Sequence, residues 1–518
     1  MNETAKLQKA IELSISAGYQ MDRAAFELLT VLATTEDPAE IVKQAIQKIE
    51  TLKEKPIFIG RNLLESLTGK PESAQEMIPQ PLEEKTSALH EARLTEAKKM
   101  FHAYAKEVES NIKILEDPGS NLTSNGTVGD YLTYFQDRFK RTEKLLRQRI
   151  DARAATTVVE ALKAQANSSL KIVCMITEKR ESNHRILLTV EDLQANITVL
   201  VPQNASEDLQ RKARCLLLDQ IVCLSVKKTR TNLLIVDDII LPDIAQRTQN
   251  KAPIPVYAVL TSDMHVGSTK FQRENFNRFI LWLNGKYGNE RMKEIAGHVK
   301  YVLIAGDIVD GIGIYPNQVK ELAVKNAYAQ YRLAAKYIEQ IPDYIEVIII
   351  PGNHDVPRKA LPQPPISDEF LVSLQESRRV QSLGNPSCVS LHKVEVLMYH
   401  GRSLDDVTST IPGMSYQHPE KAMTLLLQCR HLAPVYGAKT PISPESRDTL
   451  VIDRVPDIFH VGHVHVLAHV NYRGVLSVNS GAWQEQTDYM RRLGVVPTPS
   501  KVPVVNLQTL ELTEIPFN

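Results

Sequence analysis

Five stretches of this chain end in side chains of metal-binding type, each directly after an apolar run. YAVLTSDMH delivers Asp263 and His265, and YVLIAGDIVD delivers Asp307 and Asp310. VIIIPGNHD delivers Asn353, His354 and Asp355, VEVLMYHG delivers His400, and DIFHVGHVH delivers His463 and His465. In a D-x-H or H-x-H pair both side chains share one face of an extended segment, so they can converge on one ion or bridge two. Imidazole with carboxylate suits Zn, Mn or Fe, whereas Mg and Ca take oxygen ligands. Asp263, His265, Asp307, Asn353, His400, His463 and His465 are too many for one tetrahedral ion. They fit two divalent transition-metal ions bridged by a carboxylate, about 3.5–4 Å apart. Such a pair lowers the pKa of bound water, as in binuclear hydrolases. One D-x-H or G-H-x-H arises readily by chance; this whole series, in order and each time at a strand end, does not.

The elements that must position these groups are buried strands. VIII before Pro351-Gly352 suits a strand covered on both faces, and the Pro-Gly pair stops it and turns the backbone. Polar groups then sit at the mouth of a buried sheet, where layered α/β folds place their ligands. From APIPVYA onward, strands alternate with helices to the end, which defines a catalytic domain over 251–518. Upstream, SLKIVCMITEKRES, HRILLTVED, ANITVLVP, QIVCLSVKKT and NLLIVDDIIL are strand-sized runs of period two, interrupted by the helix-like SEDLQRKARCLLL. They predict a small OB-like β-barrel, which with a preceding amphipathic helix (GDYLTYFQDRFKRTEKLLRQRI) occupies 128–250. The barrel strands lack aromatic stacking platforms, which favours protein docking over strand binding there. The basic end of the amphipathic helix (Arg138, Lys140, Arg141, Lys144, Arg147, Arg149) reads as a solvated face, with phosphate contact as the alternative.

Residues 1–70 read as a small helical domain without a cluster of ligand types, with Asp37-Pro38 opening one helix. Residues 71–127 read as a polar, proline-bearing linker followed by a helix at about 93–116 and a loop, DPGSNLTSNGT. With 61 basic and 61 acidic residues the formal net charge is zero, so nucleic-acid binding must rest on local patches or metals. No apolar run reaches membrane-span length, and the start lacks a signal-peptide layout. The 5 cysteines are far apart, odd in number and without a CxxC pair, which suits reduced thiols in an intracellular protein.

The ordered motifs D-x-H, G-D-x-x-D, G-N-H-D, H and G-H-x-H resemble those of the calcineurin-like metallophosphoesterase superfamily. The resemblance spans Asp263 to His465. It implies a multidomain α+β protein whose last part is a four-layer αββα sandwich with a two-metal site at its rim. It further implies that Asp263, His265, Asp307 and His465 hold one ion, and Asp307, Asn353, His400 and His463 the other. His354 would be the catalytic histidine and Asp310 its orienting partner. Asp355 reads as a brace for the turn. Protein phosphatases of the superfamily carry Arg after G-D-x-x-D and before G-N-H; here those positions are Gly311 and Pro351, which favours a diesterase, and a nuclease in particular.

A helical N-terminal domain, a linker, an OB-like barrel and this domain together resemble the small-subunit family of archaeal family D DNA polymerases. YHGRSLDD, RHLAPVYG and VPDIFHVGHVH share that resemblance, which runs from about residue 128 onward. It implies a proofreading 3′→5′ exonuclease on single-stranded or mispaired DNA 3′ ends, two divalent metals (Mn, Zn or Fe), a large catalytic polymerase subunit as partner, and a cytoplasmic, nucleoid-associated location. A non-catalytic scaffold that docks the large subunit, and a phosphatase or small-molecule diesterase, are the competing readings. Arg402 can hold a substrate phosphate, with a structural salt bridge as the alternative. Arg430 and His431 line the groove or pack a loop, His460 and His469 read as core or supporting residues, and Asn479 or Ser480 can hold a neighbouring ligand.

Overall fold

The computed structural model describes residues 101–518 except 121, 232 and 378–379, together with 6–7, 9–10, 13–14, 17, 20–21, 23–32, 37–50, 58–59 and 63–64. The expected linker at 71–92 lies outside the described residues. The chain divides into Met1–Ala97 and Lys98–Asn518. In the first unit, helices Arg23–Leu32 and Pro38–Glu50 pack Leu29, Val42, Ile46 and Ile49 into a small core, and β1 (Gln20–Met21) pairs in parallel with β2 (Phe58–Ile59). Asp37 caps the second helix through Ala39 N, with Pro38 in its first turn, as the sequence predicts.

In the second unit, β4 (Ser169–Ser182), β5 (Arg185–Glu191), β6 (Asn196–Val201), β7 (Ile221–Lys228) and β8 (Leu234–Ile240) close a barrel in the order β4-β5-β6-β8-β7. Helix Glu207–Arg214 lies between β6 and β7 in sequence, capped by Ser206. Two six-stranded sheets follow. The first has the order β12 (Val380–Ser382), β11 (Glu346–Ile350), β10 (Val299–Ala305), β9 (Tyr257–Thr261), β18 (Lys501–Asn506), β19 (Leu512–Pro516). The second has the order β16 (Leu467–Tyr472), β17 (Val475–Ser480), β15 (Ile458–Val461), β14 (Val394–Tyr399), β13 (Ser387–Leu391), β3 (Ile112–Glu116).

Side-chain alternation fixes the layering. Ala258, Leu260, Tyr301, Leu303, Ile348 and Ile350 of the first sheet share one core with Val394, Val396, Met398, Ile458 and Val478 of the second. Their strand neighbours Val259, Val302, Ile304, Val347 and Ile349 face outward onto helices Arg273–Leu283 and Ala327–Ile338. On the other side, Leu397, Tyr399, Phe459 and Val461 face helices Leu404–Thr410 and Pro419–Cys429. Strands covered on both faces tolerate apolar residues at every position, which is why these runs are so uniformly hydrophobic. β9, β10 and β11 run parallel, as do β14 and β15, and each of these five ends in one of the motif loops.

Two expectations need correction. The described part of 93–116 holds a single 3-10 turn (Tyr104–Lys106) and β3, not a helix. Ile112 and Ile114 are β-branched and meet Leu391 and Val389 at the open edge of β13, so edge pairing outweighs local helical spacing. The basic end of helix Val128–Arg147 is solvated only in part: Lys140 and Lys144 are exposed, while Arg138 and Arg141 are drawn inward. Arg138 is fully buried and bonds Asp448 Oδ2 at 2.7 Å and Pro434 O at 2.8 Å, while Arg141 pairs with Asp137 and Asp453. Tyr134 enters the core beneath the second sheet and Leu146 packs with Val173 and Ile221, so the docked face carries Arg138 alongside apolar residues. Among the described residues no helix is long and apolar enough to cross a membrane.

Candidate metal centre

The five parallel strand ends bring the expected ligands together. Three clusters of ligand atoms form, with all atoms of each within 4.8 Å of one another: Asp263, His265 and His465; Asp307, His400 and His463; and His265, Asp307 and His354. Asp307 links the last two. Its Oδ2 lies 3.3 Å from His400 Nε2, 3.8 Å from His265 Nε2 and 4.0 Å from His354 Nε2. His465 Nε2 stands 3.0 Å from His265 Nε2 and 3.3 Å from Asp263 Oδ1. His400 Nε2 stands 3.0 Å from Asn353 Oδ1. Two ligand atoms each about 2.1 Å from one ion are separated by about 3.0–3.4 Å, so the shorter of these spacings would suit residues that share an ion.

Backbone strain marks the same places. Asp263 (φ 50°), His265 (50°), Asp307 (53°), His463 (71°) and His465 (61°) all occupy the left-handed region. Asp and His are tolerated there better than most residues, yet such a cluster of non-glycine residues at one site points to function. Glycines make room for the carboxylates. A Cβ at Gly352 would lie 2.1 Å from Asp307 Oδ1, and one at Gly462 would lie 2.6 Å from Asp263 Oδ2.

Neighbouring groups fix the tautomers. Ala305 O accepts from His400 Nδ1 at 2.8 Å, which turns the Nε2 lone pair toward Asn353 Oδ1 and Asp307 Oδ2. Three acceptors facing one another require a cation or a proton between them. Asp263 Oδ1 is likewise buried without a hydrogen-bond partner. Both features fit a divalent ion. Burial opposes charge on His265, but the Asp263 and Asp310 carboxylates beside it raise its pKa to about 10. His400 is raised against burial by Asp307, to about 9. Burial pushes His354 down to about 4. Neighbouring carboxylates thus favour positive charge at His265 and His400, whereas burial lowers both His354 and His465.

Asp310 acts differently from expectation. Its carboxylate takes His265 Nδ1 at 3.0 Å and the Gln318 and Gln484 amides, whereas His354 Nδ1 bonds the Asp310 main-chain carbonyl at 2.7 Å. The Asp310 side chain thus orients a candidate ligand and its backbone orients His354; the bend after β10 turns the carboxylate toward the Asp-x-His loop. Asp355 braces the turn as predicted, accepting from Gly352 N, Ile308 N and the Tyr331 hydroxyl. Arg402 borders the cavity beside Asn353, His354 and His463, its Nε buried without a partner, and no ion pair to it occurs among the described residues.

Arg430 bonds the Ile452 and Asp453 carbonyls and His431 bonds Asp448, so both pack loops instead of lining the groove. His460 Nε2 and Ser480 Oγ lie 3.1 Å apart, and Ser480 reaches Asp263 through Ser262. Asn479 holds Gly462 O at 2.6 Å, and His469 lies near Glu514, away from the centre. Sequence reasoning missed Asp405, which bonds His463 Nε2 at 3.1 Å, and the two glutamines on Asp310. Asp405 follows His400 closely in sequence, and that proximity was the available signal; the glutamines had none.

Residues 258–467 match the DNA polymerase alpha/epsilon B-subunit family. The DNA polymerase II small subunit of Halobacterium salinarum is 33% identical over 515 residues, covering 97% of each chain. Its counterpart in Archaeoglobus fulgidus is 38% identical, covering 76% of this chain and 78% of that one. That of Pyrococcus furiosus is 36% identical, covering 78% and 67%. A solved structure described as a novel archaeal phosphodiesterase is 15% identical and covers 50% of this chain and 99% of its own, with a TM-score of 0.26. At that score the likeness bears no weight, and the layering above stands on the chain's own cores.

Proposed function

The chain belongs to the family of archaeal DNA polymerase II small subunits, and from that premise we propose that it is itself a phosphodiesterase, trimming 3′ ends of single-stranded or mispaired DNA for a large catalytic subunit. The observation that carries this reading is the convergence of the candidate ligands at five strand ends, with His265, Asp307, Asn353, His463 and His465 lining one cavity of about 160 Å³ together with Arg402 and His354.

Asp263, His265 and His465 would hold one divalent ion, Asn353, His400 and His463 the other, and Asp307 both. Bound there, the ions supply Lewis acidity, lowering the pKa of water and neutralising charge on phosphoryl oxygens. Arg402, on the cavity wall, would bind a non-bridging phosphate oxygen. His354, its Nδ1–H held on the Asp310 carbonyl, presents Nε2 to the cavity, where it can move a proton to or from the leaving oxygen. Asp405 and Asp310 keep His463 and His265 in one orientation. A diester fits better than a monoester clamp. At Gly311, where phosphatases of the superfamily carry Arg, the backbone is at φ 69° and a Cβ would lie 2.3 Å from His354 O.

A scaffold role rests on one observation: the barrel strands β4 to β8 carry no Phe, Tyr or Trp, which suits protein docking. Docking and catalysis are compatible, and metal content separates a scaffold from an enzyme. The test of the proposal compares turnover of a 3′-labelled single strand, a phosphopeptide and a cyclic nucleotide in Mn²⁺, by the chain alone and with its large subunit. The strand should be preferred, and His354→Ala should lower its turnover by about 10²–10⁴-fold. Preferred turnover of the phosphopeptide or the cyclic nucleotide, or an undiminished His354→Ala protein, would overturn it.

A further inference from the structure

A ladder of rings leads out of the metal centre. His265 and His354 meet edge to face at 4.6 Å, Tyr315 lies 6.2 Å beyond His354, and Tyr489 stacks on Tyr315 at 5.5 Å with 23° between planes. Tyr489 is 48% exposed although it is large and aromatic. Tyr315, Tyr489 and Leu493 line both the cavity at the centre and a groove of about 600 Å³, so the two adjoin at these side chains.

The groove is also positively biased. Its carboxylates are engaged: Glu321 accepts from the Tyr315 hydroxyl at 2.8 Å, and Asp488 pairs with Arg491 at 2.6 Å. Lys270, Lys320 and Arg492 line the same groove, and none forms an ion pair among the described residues. Aromatic faces beside unpaired cations are the combination that binds a single nucleic-acid strand: bases stack on rings of any sequence context and phosphates meet the cations. A duplex, its bases already stacked on one another, has no free face to offer Tyr489.

The geometry points to this groove as the track of a single-stranded nucleic acid running into the centre, with a base near its 3′ end stacked on Tyr489 and backbone phosphates on Lys320 and Arg492. This rests on the 3′-end reading for the direction of the strand, though strand binding itself can be measured without catalysis. The track supplies the aromatic platform absent from the barrel, and it makes Tyr489 a specificity-determining residue for unpaired ends.

The test measures equilibrium binding of a fluorescent oligothymidylate and of a duplex of equal length by anisotropy, in EDTA, on the full chain. Tyr489→Ala should weaken the single strand about tenfold, Tyr489→Phe should bind like the parent, and Lys320→Glu with Arg492→Glu should weaken binding and flatten its salt dependence. Thermal melting checks that each variant is folded; Tyr489, Lys320 and Arg492 are exposed side chains, so the fold should tolerate them. Absence of single-strand binding by the parent, or affinities within twofold across Tyr489→Ala and the double charge reversal, overturns the track. Should the parent bind through Tyr489 yet digest no labelled strand in Mn²⁺, the track stands and the exonuclease reading falls.

Discussion

Asp307 concentrates the demands on the centre. It is buried at a left-handed backbone position, with Oδ2 facing three imidazoles and Oδ1 accepting from His354 N at 2.8 Å. Asp307→Asn keeps the shape but removes the carboxylate that His400 and His265 face, so its Tm in EDTA should fall below the parent's. Its Tm rise on adding Mn²⁺ should shrink by at least half, because bound metal stabilises only as far as it binds. Arg402→Ala, which cuts no existing ion pair, should raise KM for an oligonucleotide about tenfold with little change in Tm, read from initial rates and a melting curve. The convergence of the candidate ligands was legible because each follows a strand at fixed spacing. Asp310 does hold His354, but through its carbonyl, because the motif records which residue is present and not which of its groups meets His354.

At the scale of elements, helix Val128–Arg147 is held by charge buried beneath it. Arg138, Asp448 and His431 form a closed set, with Asp448 Oδ2 taking Arg138 Nε at 2.7 Å and His431 Nε2 at 2.9 Å. Asp448→Asn leaves Arg138 buried and unpaired, which should cost about 3–5 kcal/mol in denaturant unfolding. pH should act through the same set. Burial and the Arg138 charge hold His431 at about 4, below its ordinary value, so the unfolded chain binds more protons in the window between the two. Stability should therefore fall as pH drops from about 6.5 toward 4, by up to about 1.4 kcal/mol per unit, and His431→Gln should flatten that slope in urea titrations. Arg138 and Arg141 looked like a solvated face because a helix pattern cannot reveal partners some 300 residues away. The barrel and the parallel strands were legible because their period-two runs and buried apolar runs are local signals. β3 was not, because its strand character comes from the edge it joins.

At the scale of the molecule, the unit Lys98–Asn518 draws on sequence from both sides of the barrel. β3 closes one edge of the second sheet, and Tyr134 and Leu217 enter the core beneath it. Residues 98–518 expressed alone should melt in one transition, whereas 251–518 alone should melt lower or aggregate, with the β13 edge and the Tyr134 pocket bare. Calorimetry of the two chains reads this directly. The centre likewise belongs to the whole, since its ligands come from both sheets and from five separate loops. The central claim is that these ligands form a working two-metal centre that cleaves phosphodiesters at 3′ ends. The most direct measurement is the release of a 3′ label from a single strand by the full chain in Mn²⁺, with metal content determined on the same samples. The account predicts about two ions per chain and steady 3′ release by the parent, with Asp307→Asn losing both metal and at least about 10³-fold in rate. A parent that binds no metal and releases no label, or an Asp307→Asn protein as active as the parent, would contradict it.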